Sequence, residues 1–222
     1  MRFAALETSS DWCSVALWLD GEIASTEARA PNRHSELVLP MLYRLLEERN
    51  LKVENLEAIA FGAGPGAFTG LRIACGVAQG LALARSLPVA PVSCFEAIAE
   101  ECGASRVVAC IDARMHEVYY AALERTSHGW TEVVSASCVP PGEAAPPPGD
   151  GWVGAGNGFA AFPAFLHNRI KTVISEIHPT AHSIARLAAG RLAAGQGVDA
   201  ALALPTYFRD KVAFTQAELA KR

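Results

Sequence analysis

Residues 62–72 read Gly-Ala-Gly-Pro-Gly-Ala-Phe-Thr-Gly-Leu-Arg and join a predicted buried strand, residues 57–62, to a predicted long helix, residues 70–86. Glycine-rich connections from a strand to a helix are places where α/β proteins bind phosphate groups. This one lacks the Gly-Lys-Ser/Thr of a Walker A loop and the G-x-G-x-x-G spacing of a dinucleotide fingerprint. Its composition therefore favours a tight turn, whose glycines permit positive φ and close strand–helix packing, over a ligand loop.

The rest of the first half shows three strands followed by alternating helices and strands. Asp20-Gly21 is a strong hairpin signal between the second and third strands. Ser35 and Thr69 are predicted to cap the first and second helices. The predicted strands cover residues 2–6, 12–19, 22–28, 57–62 and 89–93, and the predicted helices cover residues 35–49, 70–86 and 95–102.

The second half repeats this order in a shorter form. Residues 140–151 contain five prolines and three glycines and are predicted to form a loop. The predicted strands cover residues 106–111, 116–123, 130–138, 152–155 and 172–175, and a helix covers residues 179–194. We therefore predict a duplicated mixed α/β fold, with an N-terminal subdomain over 1–103 and a smaller C-terminal one over 104–222. The stretch 209–222 is amphipathic enough to dock, but the sequence does not indicate on which surface.

Composition narrows the class of protein. Of the 222 residues 51% are apolar and 19% are charged, which excludes intrinsic disorder. The net charge is 19 − 23 = −4, and without a basic patch direct nucleic-acid binding is not expected. Six cysteines without a C-x-x-C pair predict buried free thiols in a reducing compartment. The N-terminus lacks the pattern of a signal peptide, and residues 73–84 are too short for a membrane span. A cytoplasmic protein is expected.

Two helices carry features that a single sheet does not explain. Gly76 and Gly80 stand at i and i+4 in the second helix, where each costs about 1 kcal/mol relative to alanine. We expect this cost to be offset by the close approach of another helix, from this chain or from a partner. The first helix is apolar on more than one face, so it needs either a second burial partner or cover from the chain's own second half. Its apolar residues are Leu37, Val38, Leu39, Met41, Leu42, Leu45 and Leu46.

The sequence contains few candidates for metal-binding or catalytic residues. His178 and His182 have the spacing of two metal ligands on a helix, but Pro179 favours His178 as an N-cap and no third ligand is evident. The chain has no G-x-S-x-G elbow. Glu7 and Asp112, each at a predicted strand end, either hold a Mg²⁺-nucleotide in a cleft between the halves or cap neighbouring backbone amides.

Several stretches together resemble the bacterial TsaB (YeaZ) family. The match is dense over residues 1–120 and thin beyond, and the two glycine-containing stretches of the second helix are its most specific part. The stretches are Glu-Thr-Ser at 7–9, His-Ser-Glu at 34–36, residues 64–72, Gly-Val-Ala-Gln-Gly-Leu-Ala at 76–82, Ile-Asp-Ala-Arg at 111–114 and Pro-Thr-Tyr-Phe-Arg at 205–209.

The resemblance implies an ASKHA fold (actin and Hsp70-like, ribonuclease H-like) and a role in forming N6-threonylcarbamoyladenosine at position 37 of tRNAs that read codons beginning with A. It implies a non-catalytic partner of TsaD, joined by the ATPase TsaE, that forms a homodimer when alone and meets tRNA only through the complex. No cofactor of its own is implied, although ATP or ADP can lie at the complex interface.

The resemblance also assigns residues to these roles. The expected partner interface consists of Leu37, Val38, Met41, Leu45, Gly76, Gln79, Gly80 and Leu83. The candidate nucleotide cleft consists of Glu7, Thr8, Ser9, Gly64, Gly66 and Asp112. No catalytic residue and no metal ligand are expected.

Four positions depart from the patterns of the TsaD and TsaB families. TsaD carries a metal-binding His-x-x-x-His where this chain has Cys94 and Ile98, and isoleucine cannot bind a metal. Glu7 stands where the family usually has aspartate, and Ala67 replaces a common serine. Because the glutamate side chain is longer than that of aspartate, we expect the nucleotide site less in this chain than in relatives that carry the aspartate.

Two other functions compete with the partner subunit. One is an independent ASKHA-fold enzyme, a small kinase or ATPase that works in the cleft between the halves. The other is a metallopeptidase, for which the sequence offers no complete ligand set.

Overall fold

A computed structural model describes residues 1–209 as two five-stranded sheets with helices packed on them. Residues 210–222, which include nearly all of the amphipathic stretch expected to dock, lie outside the described part. The strands of the first sheet are β1 (Arg2–Glu7), β2 (Trp12–Leu19), β3 (Glu22–Arg29), β4 (Ala58–Gly64) and β5 (Val89–Ser93). Those of the second are β6 (Arg106–Arg114), β7 (Glu117–Thr126), β8 (Gly129–Val139), β9 (Val153–Ala155) and β10 (Thr172–Ile174).

The two sheets have the same topology. The first has the order β3-β2-β1-β4-β5 and the second the order β8-β7-β6-β9-β10. In each sheet the first three strands are antiparallel neighbours along the chain, and the last two are added parallel to the first. The predicted duplication of a mixed α/β unit is therefore confirmed.

The described residues form five α-helices that cover the sheets: α1 (His34–Glu48), α2 (Phe68–Leu83), α3 (Cys94–Cys102), α4 (Gly158–Ala161) and α5 (Ala181–Ala193). The central strand β1 is buried on both faces, because alternate side chains meet different helices. Ala4 and Leu6 share a core with α1 and α2, whereas Phe3 and Ala5 share one with α5.

Two of these helices cover the sheet of the opposite half. Helix α5 follows the second sheet along the chain but packs on the first, where Ile184 lies in the core with Phe3 and Val92. Helix α3 follows the first sheet but packs Phe95 and Ile98 against β6, β7 and β9. The two halves are thus interlocked through their helices.

The helix starts differ from the sequence prediction. Helix α2 begins at Phe68 with Ala67 as its N-cap, so Thr69 is not the cap. The start is fixed by tertiary contact instead, because the Ala67 N–H donates to Ser9 O at 2.7 Å. Helix α1 begins at His34, and its N-cap, Arg33, makes no side-chain capping bond, so Ser35 is not a cap either.

Helix α5 begins two residues later than predicted. Its N-cap is Thr180, whose side chain accepts a hydrogen bond from the Ser183 N–H, so neither Pro179 nor His178 holds the position expected from sequence. A hydroxyl that satisfies a free amide outweighs the preference of proline for the first turn.

All six cysteines are free thiols, four of them buried. Within residues 1–209, no helix is at once long and apolar enough to cross a membrane.

Candidate functional site

The glycines of residues 62–72 are required by close packing within the chain. A Cβ on Gly66 would lie 2.5 Å from Ser9 Cβ, and one on Gly70 would lie 1.9 Å from Thr8 O. Gly64 has φ of +118° and faces the Thr206 backbone. The stretch is therefore pressed onto the turn between β1 and β2, which agrees with its interpretation as a tight turn.

Glu7 lies at the end of β1 and is fully buried beneath this turn. Its Oε1 accepts from the Ser9 N–H at 2.5 Å, and Cys94 Sγ donates to its Oε2 at 3.6 Å. Burial raises the pKa of the Glu7 carboxyl, although hydrogen bonds from Ser9 and Cys94 oppose the shift. Burial, followed by the Glu7 charge, also raises the pKa of the Cys94 thiol well above its ordinary value. Neither group is placed to meet solvent.

A cavity of about 970 Å³ lies between the two halves. It is lined by the β1–β2 turn, the start of α2, the β6–β7 turn and the residues before α5. Of the candidate nucleotide residues, Ser9, Gly66 and Asp112 line this cleft, whereas Glu7, Thr8 and Gly64 do not. The Thr8 hydroxyl is used internally, since it donates to Gly70 O at 2.7 Å. The structure thus brings only half of the predicted set to the cleft.

Asp112 is the carboxylate of the predicted pair that faces the cleft. Its Oδ1 accepts from the Arg114 N–H at 2.8 Å, and its Oδ2 pairs with the Arg114 guanidinium at 3.1 Å. Of the two interpretations left open by the sequence, capping of backbone amides describes both carboxylates, because Glu7 holds the Ser9 amide in the same way. Asp112 is thus held by two contacts within its own turn.

The histidine pair has no metal-site geometry. His178 stacks on Trp12 with ring centroids 4.9 Å apart, and its Nε2 lies 3.3 Å from Glu27 Oε2. His182 lies in the first turn of α5. Across residues 1–209, no three His, Cys, Asp or Glu side chains are grouped so as to hold a metal ion. Cys94 and Ile98 are both buried in cores.

The outer side of α2 presents two glycines and a leucine to solvent. Arg72, Gly76, Gly80 and Leu83, here called the α2 face, are exposed and follow one another at helical spacing. Apart from the neighbouring backbone of the helix itself, no atom of residues 1–209 lies within 4 Å of a Cβ built on either glycine, and Leu83 is 60% exposed. No contact within the described chain offsets the loss of helix stability that the two glycines cause.

The five predicted interface residues outside the α2 face divide into three groups. Val38 and Leu45 are only 1% and 4% exposed, in the core between the first sheet and α2, so their assignment to a partner surface is corrected. Part of the surplus apolar surface of α1 is thus covered within its own half. Leu37 and Met41 are half-buried at the edge of that core. Gln79 Nε2 donates to Ala203 O at 3.1 Å.

Sequence reasoning missed other exposed apolar residues near α2. Five of the eight large hydrophobic side chains that are well exposed in the described chain lie on α1, α2 or residues 202–207. They are Leu83, which was assigned to the partner interface from sequence, and Tyr43, Leu202, Leu204 and Tyr207, which were not. The continuous apolar run Ala-Ala-Leu-Ala-Leu at 200–204 is the available signal, but a run without alternation does not say which side chains are covered.

Residues 203–209, here called the strap, run from α2 across the cleft. Ala203 O accepts from Cys75 Sγ as well as from Gln79, and the Thr206 N–H donates to Ala63 O at 2.7 Å. At the far end, Arg209 donates to Ala113 O at 2.9 Å and pairs with Glu117. The strap therefore ties the first half to the β6–β7 turn of the second.

This duplicated architecture is shared with known proteins. The profile of a family described as "tRNA N6-adenosine threonylcarbamoyltransferase" (TsaD) matches residues 27–215. The solved structure "YeaZ from Pseudomonas aeruginosa" superposes with a TM-score of 0.85 at 39% identity, over 93% of this chain and 99% of that one. The fold and the sequence thus define a TsaD-related protein of the duplicated α/β class.

Two bacterial relatives narrow the assignment. "tRNA threonylcarbamoyladenosine biosynthesis protein TsaB" of Escherichia coli (strain K12) is 36% identical, covering 96% of this chain and 97% of the relative. The Haemophilus influenzae protein of the same name is 36% identical, covering 77% of this chain and 78% of the relative. The chain belongs to the TsaB (YeaZ) family.

Proposed function

We propose that this chain takes part in tRNA threonylcarbamoyladenosine biosynthesis as a partner subunit that binds TsaD and leaves the chemistry to it. The role in this pathway is supported by the names of the relatives that match nearly the whole chain. TsaE joins the pair, tRNA is reached only through the complex, and a second copy takes the place of TsaD when the chain is alone.

The observation that carries the proposal is the uncovered pair Gly76 and Gly80. Each glycine costs about 1 kcal/mol in a helix, and no contact within the described chain offsets that cost. Glycines at i and i+4 allow the backbone of a second helix to approach closely. The partner would cover Leu83 in the same contact, together with the half-buried Leu37 and Met41 on α1.

A subunit without an active site of its own also fits the internal engagement of the polar residues. Glu7 is buried, Asp112 is paired with Arg114, and Thr8 is bonded to Gly70. ATP or ADP, where the complex uses it, is therefore expected at the boundary between subunits rather than held by this chain alone.

Substitution of the helical glycines tests the docking surface. Gly80→Leu should weaken binding to TsaD of the same organism at least about tenfold, because a large side chain blocks close approach. Gly190→Leu is a matched control, since Gly190 is also exposed, has open space around its Cβ and stands three residues before the last residue of α5. Isothermal titration calorimetry measures both. Equal affinities for the two variants would contradict the proposal.

An independent ATP-using enzyme draws support from the size of the cleft and from Ser9, Gly66 and Asp112 on its walls. It predicts that the isolated chain hydrolyses ATP and that Asp112→Asn abolishes the activity. The partner-subunit proposal predicts phosphate release at background for both proteins, which a coupled phosphate assay decides.

A further inference from the structure

A groove of about 390 Å³ lies on the outer side of α2, between the helix and the strap. Arg72, Cys75 and Gly76 line it on the helix side, and Leu204, Pro205 and Tyr207 line it on the strap side. Gly76 leaves the bottom of the groove without a side chain, and none of the side chains up to residue 209 enters that space. The groove is thus an extension of the α2 face onto a second element.

The groove is preformed. The strap is held against α2 by the bonds from Cys75 and Gln79 to Ala203 O, and against β4 by the bond from the Thr206 N–H to Ala63 O. The Tyr207 ring packs on Phe68 with centroids 5.4 Å apart. Despite this fixed backbone, the side chain of Leu204 is 62% exposed. A fixed apolar wall that faces solvent is typical of a surface that a partner covers.

Arg72 supplies the charge at the rim. Its guanidinium lies 3.8 Å from the centroid of the Phe68 ring, and its Nε donates to the Tyr207 hydroxyl at 3.2 Å. No carboxylate of residues 1–209 forms an ion pair with it. The remaining N–H groups are therefore available for a carboxylate from outside the described chain.

We propose that this groove receives a large aliphatic or aromatic side chain from a helix of the partner, next to a partner carboxylate that pairs with Arg72. The inference rests on the proposed function and adds the strap to its docking surface. A helix fits because the two glycines permit close approach of its backbone. A chain of different sequence fits better than a second copy that docks through its own α2, because α2 carries no acidic residue to place opposite Arg72.

The test compares two leucines that lie two residues apart. Leu204 lines the groove, whereas Leu202 is 72% exposed and lies outside it. Leu204→Glu should weaken binding to TsaD of the same organism at least about tenfold, and Leu202→Glu should change it less than about threefold. Circular dichroism and thermal unfolding of both variants confirm that the fold is kept.

The rim charge gives a second readout. Wild-type affinity should fall with added salt, and Arg72→Gln should remove much of that salt dependence, because the ion pair with the partner is then absent. An unchanged salt dependence in Arg72→Gln would overturn the carboxylate part of the proposal.

Leu83→Glu separates this inference from the function on which it rests. If Leu83→Glu abolishes binding while Leu204→Glu behaves like Leu202→Glu, the partner docks on α2 and the groove is empty. If TsaD binds none of the proteins, or binds all of them equally, both proposals fail. If Leu204→Glu breaks only self-association, measured by sedimentation, the occupant is a second copy and the proposed one is wrong.

Discussion

Glu7 and Asp112 make the same contact in the two halves of the molecule. Each carboxylate accepts a hydrogen bond from the backbone N–H two residues further along, Ser9 for Glu7 and Arg114 for Asp112. Each belongs to the first strand of its half, β1 or β6. The duplication thus extends from the strand order to a capping interaction, with one copy buried and the other facing the cleft.

The buried carboxyl group of Glu7 should make the free energy of unfolding depend on pH. Because burial raises the pKa of Glu7 in the folded protein, the neutral carboxyl is favoured by folding. Its contribution is fully present below the unfolded pKa, near 4.5, and is lost as the pH rises through the higher folded value. We expect Glu7→Gln to gain stability relative to wild type between pH 4 and pH 8 in urea unfolding. Parallel pH profiles for the two proteins would contradict this.

Two glycines of α2 should respond to alanine with opposite signs. Gly70→Ala should destabilise the protein by about 1–3 kcal/mol, because the new Cβ would lie 1.9 Å from Thr8 O and the backbone must shift. Gly76→Ala should stabilise the free chain by up to about 1 kcal/mol, because its surroundings are open. Chemical denaturation of the isolated protein measures both, and the same sign for both changes would refute the packing described here.

The start of α5 can be checked through its cap. Thr180→Ala should cost about 1 kcal/mol, because the Ser183 amide loses its acceptor. Thr69 is the natural comparison, since it resembles a cap in sequence but stands inside the first turn of α2 and is exposed. Thr69→Ala should leave the thermal midpoint nearly unchanged. A larger loss from Thr69→Ala than from Thr180→Ala would restore the boundary predicted from sequence.

Much of the fold can be predicted from local pattern. Residues 89–93 are predicted as a strand and form β5 with the same bounds, because this short β-prone run stands between a proline and a helix. The repeated order of three strands, then alternating helices and strands, is enough to predict the duplication. The helix starts are less predictable, because Ala67 is fixed by a bond to Ser9, more than fifty residues away in sequence.

The candidate site is predicted less well than the fold. The paired glycines of α2 can be recognised from sequence, because the loss of helix stability that they cause depends only on their position inside the helix. Val38 and Leu45 lie on an apolar helix whose pattern does not distinguish cover by a partner from cover by α2. Glu7 was a reasonable candidate for the cleft. Only the structure shows that its Oε2 occupies the space of a missing Cβ on Gly62, which turns the carboxylate away from the cavity.

Helices α3 and α5 each pack on the sheet of the opposite half, and this affects the order in which the chain can fold during synthesis. The first sheet is complete once residue 93 has left the ribosome, but one of its faces has only Ala97 of α3 as helical cover until Ile184 and the rest of α5 emerge. The nascent chain must therefore carry Phe3, Ala5 and Val92 incompletely covered through the translation of about ninety further residues. Nascent chains that end before α5 should consequently be good substrates for chaperones, whereas chains that extend past residue 193 should be released.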